Sequence, residues 1–185
     1  MLGERGALHV RVCERVHRLI ALRLQDADNA LQRLNGIQEA IGDHGIEIIA
    51  KKEDQNDRAK AIANVEEVMN SRSDLNLACG LWSYNGPAIA KAIERNGKKG
   101  QVLAAVFDED QRTIDGIKSG VISCTVVQKP FQFGYLSSKW MRDLAVQGDA
   151  VQLPPGGNID TGVDIITNEK VDQFQKDLEA MKAGA

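Results

Sequence analysis

Short apolar segments alternate with amphipathic segments along most of this chain, and this alternation limits its fold more than any other feature of the sequence. Strand-like runs cover residues 46–50, 75–81, 102–107, 121–128 and 160–167. Apolar residues at helical spacing lie between and after these runs, over 27–41, 58–70, 86–95, 110–118, 131–146 and 169–181. The pattern predicts an α/β fold of three layers, in which a parallel sheet carries helices on both faces.

Residues 1–24 differ from the rest of the chain in their charge. They contain five arginines against two glutamates, and Val12, Val16 and Leu19 would share one face of a helix. A basic amphipathic helix of this kind binds an anionic membrane or a partner helix. The other interpretation is an irregular terminal extension. We therefore divide the chain into a basic extension over 1–24 and one domain over 25–185, which is long enough for a buried core.

The composition argues against several classes of function. The chain has 23 Lys and Arg against 26 Asp and Glu, so it lacks the basic excess of a broad nucleic-acid surface. Its apolar runs are too short for a transmembrane helix, and we recognise no export signal. The cysteines and histidines are not spaced as metal ligands, and neither phosphate-binding loops nor a serine-hydrolase motif occurs. We therefore expect no metal and no cofactor.

Polar side chains follow four of the predicted strands. In parallel sheets, ligands bind beyond the carboxyl ends of the strands, so these residues should line one edge. They are the loop around Asp54 and Asn56, the Ser83-Tyr84-Asn85 segment, residues 108–110, and Gln128.

The residue types at this edge suit a ligand with several hydroxyl groups. Asp108 only accepts hydrogen bonds, Asn56, Asn85 and Gln128 both donate and accept, and Arg33 adds a planar fork of donors. Vicinal hydroxyls need this mixture, because each hydroxyl both donates and accepts. Taken singly, each residue is equally well explained as a turn or capping residue. An α/β enzyme that uses Asp108 as a base or phosphate acceptor is the alternative.

Five short stretches add a more specific signal. They are DNALQRLNGI at 28–37, DQNDR at 54–58, WSYNGPAI at 82–89, VFD at 106–108 followed by IDGIKSG at 114–120, and VQKPFQFG at 127–134. In this order and spacing the stretches resemble the periplasmic sugar-binding proteins of the ribose-binding type, which are the solute receptors of ABC importers. The resemblance implies one lobe of a type I periplasmic binding protein, namely the C-terminal lobe.

The resemblance also implies which residues contact the sugar. Arg33 matches the sugar-contacting arginine of the family, and Asp108 matches the aspartate that holds paired hydroxyls. Gln128 matches the glutamine at the hinge where the chain leaves this lobe.

Two matches are less direct. Asn85 falls near the sugar-contacting asparagine of the family, but the loop is longer here, so Tyr84 or Ser83 is the alternative. Asn56 occupies a position that is aromatic in ribose binders, and this departure bears on which sugar is bound.

The function implied by the resemblance is that of a carbohydrate-binding lobe, not an enzyme. A monosaccharide would be its ligand, an importer permease its partner and the periplasm its compartment, although without an export signal we expect the chain as given to stay in the cytoplasm. Because the N-terminal lobe is missing, we expect weak sugar binding, and the uncovered helix at 131–146 favours a homodimer. The alternative is the ligand-sensing domain of a lac-repressor-type regulator, which has the same fold.

Residues 1–24 do not resemble the family. The family has an apolar strand just before its first helix, and we predict no such strand here. We expect a wrong reading frame or start codon upstream.

Overall fold

The computed structural model describes residues 17–23, 28–42, 44–148, 151–152 and 154–183. The strands are β1 His17–Arg23, β2 Ile46–Glu53, β3 Leu75–Gly80, β4 Leu103–Phe107, β5 Cys124–Val127 and β6 Asp164–Thr167. The helices are α1 Asp28–Ile41, α2 Arg58–Ser71, α3 Asn85–Arg95, α4 Gln111–Lys118, α5 Pro130–Gln147 and α6 Val171–Ala183. The predicted elements are therefore present, although β5 and β6 are shorter than the predicted runs at 121–128 and 160–167.

Side-chain caps explain where two of the helices begin. The Asp57 carboxylate accepts hydrogen bonds from the backbone N–H groups of Ala59 and Lys60 at 2.7 and 3.1 Å, so α2 begins at the next residue. Asp110 accepts from the N–H of Arg112 at 2.9 Å in the same way and starts α4. These caps satisfy N–H groups that have no partner within the first helical turn.

The strands form one sheet in the order β2-β1-β3-β4-β5-β6. All neighbours are parallel except β5 and β6, which are antiparallel, with Cys124 opposite Thr167 and Val127 opposite Asp164. The predicted parallel sheet is thus confirmed for β1 to β5, and β6 is an antiparallel addition at one edge. β6 begins with Asp164 opposite Val127, the last residue of β5, so it starts at the carboxyl edge of the sheet and runs in the opposite direction.

The N-terminal segment corrects the sequence analysis most strongly. Residues 17–23 are neither helical nor irregular but form β1, which pairs with β2 on one side and β3 on the other. Leu19 to Leu22 are all buried, as is typical of a strand covered on both faces. The strand that we expected to be missing before the first helix is therefore present. Residues 1–16, with the predicted helix face at Val12 and Val16, lie outside the described residues.

Helices cover both faces of the sheet, as predicted, but unequally. Ile20 and Leu22 of β1 belong to a large core with residues of α2, α3, α4 and α6. Leu19 and Ala21 point to the other face, where they share a smaller core with Leu34 of α1. Alternate residues of one strand thus serve two cores, which identifies the three layers.

Helix α5 stands apart from both cores. None of its residues is buried, and it exposes large apolar side chains, with Phe131 66% and Val146 78% exposed. Among the described residues, no helix combines the length and apolarity that crossing a bilayer requires.

Candidate functional site

Arg33 and Asp108 meet at the carboxyl edge of the sheet. Arg33 lies in α1 and Asp108 directly follows β4, and the guanidinium nitrogens lie 3.3 Å from Oδ1 and 3.4 Å from Oδ2 of the carboxylate. Arg33 also donates to the carbonyl of Leu81 at 2.6 Å, and its guanidinium lies 4.5 Å from the ring centroid of Phe107. The side chains of the pair are 13% and 25% exposed, so part of their hydrogen-bonding capacity stays open to a ligand.

The backbone of Asp108 is held in an uncommon conformation. Its φ is 65°, in the left-handed region that aspartate tolerates better than most residues. Its N–H donates to the carbonyl of Val126 at 2.8 Å, and its carbonyl accepts from the hydroxyl of Thr125 at 2.7 Å. Neighbouring β5 therefore fixes the residue from both sides. A rigidly held, strained residue at a sheet edge is a common feature of binding sites.

A shallow cleft adjoins the pair. It has a volume of about 340 Å³ and is lined by Ser83, Asp108, Glu109, Gln128 and Pro130. Gln128 is exposed and follows β5 directly. The structure thus brings Gln128 and Asp108 together at one edge, beside the loop that contains Ser83.

The remaining predicted residues, Asn56, Tyr84 and Asn85, form a second group around the buried residue Asp54. The side chain of Asp54 is fully buried. It accepts hydrogen bonds from the Tyr84 hydroxyl, from Asn85 Nδ2 at 2.8 Å and from the backbone N–H of Asn56 at 3.1 Å. We call these four residues the Asp54 network. Tyr84 and Asn85 are themselves buried, so their polar groups bond within the protein, whereas Asn56 is exposed in a left-handed turn.

The hydroxyl of Tyr84 is held in its protonated form. Its pKa is raised above the ordinary value, first by burial and then by the hydrogen bond to the Asp54 carboxylate. Both effects disfavour the phenolate, because it would be a second negative charge in a place with little water. Tyr84 therefore serves as a donor to Asp54.

A larger cavity lies at the opposite edge of the sheet. It has a volume of about 630 Å³, and its lining includes Arg18, Asp74 and Lys98. Two of these charged groups already have partners, since Arg18 pairs with Glu47 and Asp74, and Asp74 pairs with Arg72 at 2.9 Å. We therefore place the candidate site at the carboxyl edge, although its cleft is smaller. The described residues contain no cluster of His, Cys, Asp or Glu that could hold a metal ion.

The sequence did not reveal two contributors to this edge, the Leu81 carbonyl and Phe107, and it did not reveal the inward orientation of Asp54. The Leu81 carbonyl is a backbone group, and Phe107 lies in an apolar run, so neither carries a functional signal by its residue type. Asp54 stands in the polar loop after β2, but nothing in the sequence indicates that its side chain turns inward. Its position directly after a strand was the one available hint.

Comparison with known proteins identifies the family of this chain. Residues 20–150 match the family described as the periplasmic binding protein domain. The chain belongs to this family. The match begins within β1, inside the segment that we had set apart from the domain, and the resemblance to periplasmic sugar-binding proteins is confirmed.

Two curated relatives of the periplasmic binding protein family are similar to this chain. The xylose/arabinose-binding protein XylF of Sulfolobus acidocaldarius is 27% identical over 152 residues, covering 79% of this chain and 36% of that protein. The ribose import binding protein RbsB of Haemophilus influenzae is 26% identical over 107 residues, covering 58% of this chain and 36% of that protein.

Two solved structures share the fold of this lobe. A solute-binding protein of an ABC transporter from Burkholderia graminis, in complex with D-arabinose, has a TM-score of 0.75 and 27% identity over 84% of this chain. The glucose-galactose binding protein GanP of Geobacillus stearothermophilus has the same TM-score at 23% identity. This chain covers 54% of each of these proteins, so it spans about half of their length.

Proposed function

We propose that this chain is the C-terminal lobe of a sugar receptor of an ABC importer and that it binds a monosaccharide at the carboxyl edge of its sheet. The observation that carries the proposal is the Arg33–Asp108 pair, held together at a partly open edge. Arg33 offers donors in a fixed plane, and Asp108 offers acceptors beside them. Two vicinal hydroxyls can satisfy both partners at once.

The residues around the pair divide into two roles. Asn56 and Gln128 are exposed and can both donate and accept, so we assign them to the ligand together with Arg33 and Asp108. Tyr84 and Asn85, which are buried, support this surface from behind. The names of the relatives, which mention xylose, arabinose and ribose, favour a pentose as the ligand.

The relatives also support a role in uptake rather than catalysis. They are named as binding proteins, and the chain spans about half of the solved structures that it matches. We infer that a second lobe completes the site, that an importer permease is the downstream partner and that the working compartment is the periplasm. A single lobe excludes little water from its ligand, so the isolated chain should bind sugar with a Kd above about 1 μM, weaker than about −8 kcal/mol.

A titration followed by NMR tests this proposal. The chain is titrated separately with D-xylose, D-arabinose and D-ribose, and we expect the backbone signals of the carboxyl edge to shift for at least one of them. Asp108→Asn should weaken binding about tenfold or more, because a hydrogen bond to a charged group contributes about 1.5–3 kcal/mol.

Asp74→Asn is the matched control, because it makes the same chemical change at the opposite edge of the sheet. It should leave pentose affinity unchanged. Equal affinities of the Asp108→Asn and wild-type chains would refute the proposed site. Conversion of the sugar into a product that disappears in Asp108→Asn would favour the enzyme instead.

A further inference from the structure

The Asp54 carboxylate accepts hydrogen bonds from groups within the protein. It is fully buried, and three donors surround it: the Tyr84 hydroxyl, Asn85 Nδ2 at 2.8 Å and the N–H of Asn56 at 3.1 Å. A buried charge is costly unless such donors compensate it. All three donors belong to the two loops at the candidate site. The function of the Asp54 carboxylate therefore concerns the conformation of those loops.

These hydrogen bonds bridge two connections of the sheet. Asp54 directly follows β2, and Tyr84 and Asn85 stand at the start of α3 after β3. Strand β1 lies between β2 and β3 in the sheet, so the network passes over the carboxyl end of β1.

The network continues from these loops to the Arg33–Asp108 pair. Asn85 donates to Asp54 with its nitrogen and accepts the backbone N–H of Trp82 with its oxygen at 3.0 Å. Trp82 follows Leu81, whose carbonyl receives the 2.6 Å hydrogen bond from Arg33. At its other end the network fixes the turn that exposes Asn56. Two of the residues that we assign to the sugar are thus tied to one buried carboxylate.

We propose that Asp54 is a positioning residue, which sets the Asn56 turn and the Leu81–Trp82 segment for sugar binding without touching the sugar. This inference rests on the proposed function, because it names the residue that organises the proposed site. It predicts that changing the hydrogen-bonding character of Asp54, at nearly constant volume, impairs binding while the fold persists.

Asp54→Asn is the first variant. The amide replaces one acceptor oxygen by a donor, which then faces the donors of Tyr84 and Asn85. We expect the Kd for D-xylose, measured by NMR titration of the whole chain, to rise about tenfold, which equals the lower end of the loss seen when a hydrogen-bond partner of a metal ligand is removed. In the same sample, hydrogen exchange of the Trp82 and Asn56 amides should become faster.

Two control variants separate positioning from general effects. Asp57→Asn makes the same change three residues away, at an exposed helix cap that asparagine also fills well, and should alter neither readout. Asn64→Ala removes the 3.2 Å hydrogen bond from Asn64 to the Glu53 carbonyl, beside the same loop. It should lower the melting temperature while D-xylose affinity stays as in the wild-type chain.

The outcomes are distinct. An Asp54→Asn chain that binds D-xylose like the wild type and protects Trp82 equally well would overturn the inference. If the wild-type chain binds no pentose, the proposed function fails. Amide exchange alone then tests the positioning role of Asp54. Faster exchange at Trp82 in the Asp54→Asn chain supports that role, and unchanged exchange refutes it. If Asp54→Asn does not fold, Tyr84→Phe, which removes one of the three donors, is judged by the same two measurements.

Discussion

Asp108 shows how much of this site depends on backbone conformation at a single residue. Its φ of 65° is rare for a residue with a side chain and costs about 1–3 kcal/mol unless the surroundings hold it. Two hydrogen bonds from β5 hold it, and the resulting geometry puts the carboxylate beside Arg33. Both residues were predicted from the sequence as ligand contacts, and this remains a prediction, but their pairing depends on this turn, for which the residue type is only a weak signal.

Gly80, the last residue of β3, leaves no room for a side chain. A Cβ at this position would lie 2.6 Å from Cβ of Asn85 and 3.0 Å from Cδ1 of Ile89. Gly80→Ala should therefore lower the free energy of unfolding by about 1–3 kcal/mol, the usual cost of overpacking. Gly36→Ala is the control, because nothing lies within 4 Å of its Cβ position in the exposed part of α1. It should raise stability by about 0.8–1 kcal/mol through helix propensity. Urea unfolding measures both, and equal effects would contradict the packing argument.

Of the described cysteines, Cys79 is buried and Cys124 is half-buried. Burial raises the pKa of Cys79 to about 12 and also raises the pKa of Cys124. At pH 8 the thiolate fraction of Cys79 should be about 10⁻⁴, so a thiol reagent such as DTNB should react far more slowly with the native chain than with the unfolded chain. A Cys13→Ser background removes the thiol that lies outside the described residues. Fast reaction of both thiols in the native state would contradict this account.

The raised pKa of Cys79 makes the stability of the fold depend on pH. The folded chain binds the Cys79 proton more tightly than the unfolded chain does. The stabilisation of the fold that comes from this proton is therefore complete below the ordinary thiol pKa and declines as pH rises towards 12. Cys79 and Cys124 are too far apart to form a disulfide. Cys79 lies opposite Ala105, and Ala105 opposite Cys124, so two strand spacings of about 9–10 Å separate the thiols.

Among the elements, α5 has the least support from the rest of the molecule. At 100° per residue, its exposed apolar side chains Phe131, Phe133, Met141, Leu144 and Val146 fall on several sides of the helix. A helix that is apolar on several sides is normally enclosed by protein. Nothing in the described part of the chain buries this helix, and the homodimer stays a prediction.

For the chain alone in solution, a second copy is the available cover for α5. We expect concentration-dependent association in analytical ultracentrifugation. Changing Met141 and Val146 together to Lys should shift the chain towards the monomer, whereas Leu31→Lys, at an exposed apolar position of α1, should not. A wild-type chain that sediments as a monomer at every concentration would refute self-association.

The elements also show where local pattern suffices and where it fails. The runs at 46–50, 75–81 and 102–107 were predicted as strands because they are apolar and lie between clear turn residues. In β1, by contrast, four apolar residues stand among arginines, and the same letters fit a helix face. Pairing with Ile46 and Leu75 decides in favour of the strand, and those partners are distant in sequence.

At the scale of the whole molecule, alternation of strands and helices was enough to predict the layered fold and the edge where polar residues gather. It was not enough to predict the division of that edge. Arg33, Asp108 and Gln128 stay partly open, while Tyr84 and Asn85 turn inward to Asp54. Which polar groups remain available depends on partners that come together only when β2 and β3 take their places on either side of β1.

The interior position of β1 also affects how the chain is made. Of the described strands β1 is synthesised first, yet its two neighbours in the sheet are separated from each other by the whole of α2, so one side of β1 stays unpaired until β3 emerges. During that interval the Leu-Ile-Ala-Leu centre of β1 has an unpaired edge, to which other nascent chains can hydrogen-bond. Arg18 and Arg23 stand at its two ends, where charged gatekeepers are most effective against such pairing. The arginines that obscured this strand in the sequence are therefore well placed to protect it at the ribosome.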